Sequence, residues 1–153
     1  MADLIRRVIR VYDLIPLLLI LLLARIIVGL VFFRSGLTKI DGFALKDATF
    51  FLFATEYKVP LLPPALAAYM ATTAELTMPP LLWLGLGTRF AATALLAMTL
   101  VIQTFVYPDA YMTHGLWAIA LLVLMKFGAG PLSADYVISQ AAPAATPVET
   151  AAP

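Results

Sequence analysis

The sequence predicts an all-α protein, an integral membrane four-helix bundle with an interfacial helix or lid in its first loop. Three observations predict it. Hydrophobic residues make up 63% of the 153-residue chain and charged residues 12%, outside the range of a soluble globular domain. The apolar residues gather into four segments of roughly 20 residues, the length that crosses a bilayer. Two of those segments carry an ionised side chain near mid-depth, Arg25 in the first and Glu75 in the second. A charge at that depth faces a partner or a water-filled cavity, because lipid cannot solvate it.

The elements follow in order. Residues 1–13 form a basic N-terminus containing Arg6, Arg7 and Arg10. The first span, 14–33, is longer than the apolar core of a signal peptide and lacks a small-residue cleavage site, so it reads as an anchor. Arg25, Gly29, Phe32, Gly36 and Lys39 are spaced by four, three, four and three, which places them on one helical stripe. The glycines in it allow another helix to come close. Arg34 lies almost opposite and reaches headgroups or another subunit. The loop 39–62 mixes Phe43, Phe50, Phe51, Phe53 and Tyr57 with Lys46, Asp47, Glu56 and Lys58. Rings beside charges suit the headgroup region, either as a connector resting on the membrane or as a lid over a binding site.

The second span, 63–86, ends in a tight turn through Gly85, Gly87 and Arg89, with Thr88 as the expected cap of the third helix. The third span, 88–107, closes at Tyr107-Pro108-Asp109. The fourth, 111–127, stops at Gly128-Ala129-Gly130-Pro131. The membrane domain therefore covers 14–138. The Ala/Pro-rich residues 139–153 have no periodicity and are expected to be disordered.

Composition excludes several functions. A net charge of +1 gives no basic surface for nucleic acid. With no cysteine there is no thiolate or iron–sulfur chemistry in this sequence, and the single histidine, His114, cannot supply a bis-histidine haem. Met112-Thr113-His114 is too small a set to specify copper. No metal site and no intrinsic cofactor are expected. The expected partners are the lipid bilayer and a protein partner or further copies of the chain.

The candidate chemistry centres on Arg25 and Glu75. Counted from the helix starts, they lie about 16 and 18 Å in from opposite faces of a core roughly 30 Å thick. Similar depth on antiparallel helices predicts an ion pair. It is either a lock on helix register or a proton relay in which Arg25 balances the Glu75 charge. Pro79 and Pro80 remove backbone donors and free the carbonyls of Glu75 and Leu76, which Arg25 could satisfy. Thr72 sits one turn earlier. Nearer the outer face Gln103, Tyr107, Tyr111, His114 and Trp117 are expected to converge near Lys39, with His114 read either as a helix-opening interfacial residue or as part of a site. The ligand-binding candidates are Lys39, Thr72, Gln103, Tyr107 and His114.

Lys/Arg counts give the orientation. Arg6, Arg7, Arg10, Arg89 and Lys126 fall on one side. Lys39, Lys46 and Lys58 fall on the other, beside Asp41, Asp47 and Glu56. The positive-inside rule puts both termini in the cytoplasm.

The same residues carry a family resemblance. The run 24–32, followed by Ser35-Gly36-Leu37-Thr38-Lys39, resembles the opening signature of the DoxX family of small membrane proteins. Thr73-Ala74-Glu75-Leu76 is similar to the acidic second helix of the family, and the run 84–89 to its second-to-third-helix turn. His114 to Trp117, with Gly128 to Gly130 and Leu132-Ser133-Ala134-Asp135, resembles its fourth helix and closing segment. The resemblance covers about residues 17–138. It implies a four-helix bundle in the bacterial cytoplasmic (inner) membrane and a redox neighbourhood, since one relative is a subunit of a thiosulfate–quinone oxidoreductase. On that basis the chain is expected to be a membrane subunit or accessory protein of a redox or metal-stress system. The alternatives are a quinone-linked oxidoreductase subunit, with electrons passing through a bound quinone or a partner, and a small-solute transporter using a kinked second helix.

Overall fold

The computed structural model describes residues 15–141. Helix α1 (Leu17–Thr38) leads into a two-residue ribbon, β1 (Ile40–Asp41) with β2 (Ala44–Leu45), and then a short helix α2 (Asp47–Thr55). Helix α3 (Pro64–Leu84) and helix α4 (Thr88–Val101) follow. The latter continues as one π turn over Ile102–Val106. A 3-10 turn, Pro108–Ala110, opens α5 (Tyr111–Phe127), and α6 (Ala134–Ala141) closes the described chain.

Local chemistry explains the ends. Lys39 caps α1 through its amide on the Gly36 carbonyl, and the chain turns back at Gly42, whose φ of 58° suits glycine. Asp47 sits in the first turn of α2, where a negative charge complements the helix dipole. Pro64 occupies the first turn of α3, where its missing donor is harmless. At the other end Gly85 adopts φ 66°. The amides of Gly85 and Leu86 return to the Leu82 and Leu81 carbonyls, a glycine-stopped helix terminus.

Thr88, the expected cap of α4, is instead its first helical residue. The free amides of Gly87 and Thr88 donate to the Asp135 carboxylate at 2.7 and 3.0 Å. The cap comes from the far end of the chain because a left-handed Gly87 has no side chain to supply it.

Helix α1 packs against α3 and α5, while α4 packs against α3 and α5, and α2 lies across the start of α3. Leu21, Val28, Phe32, Leu82, Leu95, Leu121 and Leu124 form the core. Phe53 of α2 seats on Ala67 and Ala68. The polarity is inverted relative to a water-soluble protein. Ile27, Leu116, Ile119 and Leu122 are exposed, whereas Arg25, Lys39, Glu75 and His114 are buried. Three segments, Leu17–Thr38, Thr88–Val106 and Pro108–Phe127, are long and apolar enough to cross a membrane. Helix α3 matches them in length but carries Thr72, Thr73, Glu75 and Thr77.

Two boundaries differ from expectation. Helix α1 continues past residue 33 to Thr38, since Arg34 and Ser35 are tolerated near a helix end. Helix α6 runs across the expected 138/139 boundary. Residues 1–13 and the tail beyond 141 lie outside the described residues.

Candidate ligand site

The stripe read from the sequence is real: Arg25, Gly29, Phe32, Gly36 and Lys39 are all buried. Its charged partners are not those expected. Glu75 pairs with Lys39, whose Nζ lies 2.7 Å from Oε2 and 3.0 Å from Oε1. Ser35 Oγ donates to Oε1 at 3.1 Å and accepts from Lys39 Nζ at 2.9 Å. The two charged side chains are 7% and 5% exposed, so the pair is shielded from solvent and its hydrogen bonds carry the desolvation.

Arg25 does not meet Glu75, nor the Glu75 and Leu76 carbonyls. Close packing fixes the register of α1 and α3: Gly29 abuts the Trp83 ring, and Gly36 abuts Glu75 and Leu76. Arg25 therefore lies level with Gly85, about 15 Å along α3 from Glu75. The depth count failed because the first turns of α3 lie beneath α2, beyond the end of α1. Arg25 Nη2 instead donates to the Leu132 carbonyl at 2.9 Å and faces the Asp135 charge. It pins the closing segment, whose Asp135 amide also donates to the Gly85 carbonyl at 2.9 Å. Burial opposes ionisation of Asp135, but the Thr88 and Gly87 amides outweigh it and hold the carboxyl below its usual range.

Two cavities meet at the Lys39–Glu75 pair. The larger, about 290 Å³, is bounded by Phe53, Tyr57 and Leu62 of the first loop, Met70 of α3, and Met98 and Val106 of the third span. Among the described residues its polar lining side chains are Lys39, Glu75 and Tyr57. The smaller, about 120 Å³, adjoins it, shares Lys39, Tyr57, Glu75, Ile102 and Val106 with it, and is also lined by Ser35, Tyr107, His114 and Trp117. The aromatic first loop thus does cover a slot.

Gln103, Tyr107 and His114 do converge. Gln103 projects from the π turn, a distortion that often marks functional positions. Its Oε1 lies 2.7 Å from His114 Nδ1 and its Nε2 donates to the Pro108 carbonyl at 2.6 Å. The His114 ring packs 5.0 Å from the Trp117 ring. Tyr107 donates to Glu56 and lies 3.3 Å from the Tyr57 hydroxyl, tying the first loop to the end of the third span. Those bonds, the one to Glu56 foremost, push the Tyr107 hydroxyl pKa up. Tyr111 is 66% exposed and stands outside the group. Thr72 is buried, its hydroxyl has no partner among the described residues, and it lines neither cavity.

Ser35, Phe53 and Tyr57 belong to the site but were not among the sequence candidates. The signal for Ser35 was present, since it precedes Lys39 by four residues and so shares its helix face. Nothing local marks Phe53 and Tyr57 apart from the neighbouring aromatics.

An uncharacterized protein of Haemophilus influenzae is 32% identical over 135 residues, covering 80% of this chain and 85% of that one. No solved structure matches. The DoxX family model matches residues 20–108, a stretch that holds the α1 stripe, the Lys39–Glu75 pair and the π turn. The chain belongs to the DoxX family of membrane proteins.

Proposed function

We propose that this protein is a membrane subunit of a redox system that seats a quinone-type ring in the slot beside Lys39 and Glu75. In this reading its four long helices cross the bacterial cytoplasmic membrane as a bundle, with both termini in the cytoplasm. One observation carries the reading. An apolar slot of about 290 Å³ under an aromatic loop has a buried, hydrogen-bonded carboxylate in its wall. A lipid-soluble ring needs such an apolar pocket with few polar groups, and its oxygens need a proton donor or acceptor within reach. Lys39 and Ser35 hold the Glu75 carboxylate in place, and Glu75 exchanges the proton. With neither cysteine nor a second histidine in the sequence, a protein partner supplies or removes the electrons. Helix α3 runs unbroken through Pro79 and Pro80, which favours a fixed slot over the broken-helix site of a transporter.

The test is to purify the protein in a gentle detergent, analyse the extracted lipids for quinones, and titrate a short-chain quinone analogue. Saturable binding that is lost on filling the slot with Met98→Trp is expected. Absence of both co-purified quinone and saturable binding would sink the reading.

A further inference from the structure

We infer that the smaller cavity is a water-filled proton antechamber, linking Glu75 to His114 and to the Tyr107–Glu56 contact at the protein surface. This rests on the slot reading only for the identity of the group that finally receives the proton.

The two cavities share a wall but differ in chemistry. The slot is apolar except at the pair and Tyr57. The smaller cavity, less than half its volume, has six polar side chains on its lining: Ser35, Lys39, Tyr57, Glu75, Tyr107 and His114. A cavity holds water when it offers at least about 10–15 Å³ and two to four polar partners. About 120 Å³ with six such side chains exceeds both requirements, so this cavity is wet while the slot stays dry. The groups come from every surrounding element: Ser35 and Lys39 from α1 and its cap, Tyr57 from the first loop, Glu75 from α3, Tyr107 from the end of the third span and His114 from α5.

The geometry supplies a direction. Glu75 stands in the wall of both cavities, so its carboxyl can exchange a proton with a ligand in one and with water in the other. With Nδ1 donating to Gln103, the neutral His114 ring keeps Nε2 as an acceptor. A proton from solvent binds that nitrogen, passes from His114 to a water and from the water to the Glu75 carboxylate oxygen, which hands it to the ligand. Tyr107 is 40% exposed and forms the outer edge, where the route meets solvent. His114 is a relay in this scheme and does not line the slot.

The experiment is hydroxyl-radical footprinting of the full chain in detergent without ligand. Phe32 and Phe53 are matched probes, 1% and 4% exposed, one lining the small cavity and the other the slot. Phe32 and the buried His114 should be oxidised at least about tenfold faster than Phe53, because radicals form from the water beside them. Oxidation of Phe32 no faster than Phe53 overturns the inference. A second arm follows proton uptake with a dye when a chemical reductant converts the bound quinone analogue to its quinol, two electrons and two protons per ring. His114→Phe should take up protons roughly 100-fold more slowly per analogue bound, as when a positioned acid–base group is lost. Uptake at the wild-type rate also overturns it. If the wild type binds no analogue, the slot reading fails and the footprint alone decides this one.

Discussion

At the residue scale, the buried Lys39–Glu75 pair is the site's most consequential contact. Truncating one partner leaves the other charged, desolvated and unmatched, which costs about 3–5 kcal/mol. Lys39→Met and Glu75→Gln should therefore each lower thermal stability strongly, while the double variant recovers much of the loss. Additive losses in a melting series would mean that the two residues stabilise the protein separately. Asp135 makes a different prediction. Its carboxyl is held below the ordinary value of 3.8, so its stabilising effect is present above that pH and is lost as pH falls through the lower folded-state value. Asp135→Asn removes the negative charge from this helix N-terminus and should cost about 0.3–1 kcal/mol at neutral pH. The gap between wild type and variant should close in acid, as stability measured against pH will report.

At the scale of elements, glycine placement sets the architecture. A methyl at Gly36 would lie 2.8 Å from Leu76 Cδ2 and 3.0 Å from Glu75 Cβ. The second atom is fixed to the backbone and cannot yield. Gly36→Ala should push α1 off α3 and cost about 1–3 kcal/mol, disturbing the Lys39–Glu75 pair with it. Gly115 in α5 has open space around its would-be Cβ, so Gly115→Ala should stabilise by nearly 1 kcal/mol through helix propensity alone. Thermal unfolding of the two variants should therefore move in opposite directions. These elements also show what was legible. The α1 stripe could be read because 3.6-residue periodicity is local, whereas alternating rings and charges in the first loop fitted a membrane-resting connector as well as a lid. The partner of Glu75 could not be read. It depends on register between two helices, which Trp83 and Leu76 set through contacts distant in sequence, and on how far α3 extends beneath α2.

At the scale of the whole molecule, the distribution of accessible charge bears on orientation. The sequence count set Lys39 against the cytoplasmic positive charges, yet Lys39 is 6% exposed and neutralised by Glu75. It does not act as a flanking cation. The loop end then keeps Lys46 and Lys58, with Arg34 near it, against Asp41, Asp47, Glu56 and Asp109. The opposite end has Arg89 and Lys126 beside the closing segment, and Arg6, Arg7 and Arg10 precede α1 in the sequence. With Arg34 taking the place of Lys39 in the count, the excess of cations at the opposite end is kept, as the positive-inside rule requires. Arg25 does not offset this, because it is buried against Leu132 and faces Asp135. Four crossings with both termini in the cytoplasm, as proposed, would put the loop bearing α2 outside the cytoplasm and α6 inside. Alkaline phosphatase, which is active only outside the cytoplasm, should be active when inserted beside Asp47 and inactive when fused after Gln140. Three crossings, leaving α3 out of the membrane, would put Asp47 and Gln140 on the same side. Equal activity of the two fusions would therefore exclude the four-span arrangement, and a reversed pattern would exclude the cytoplasmic termini.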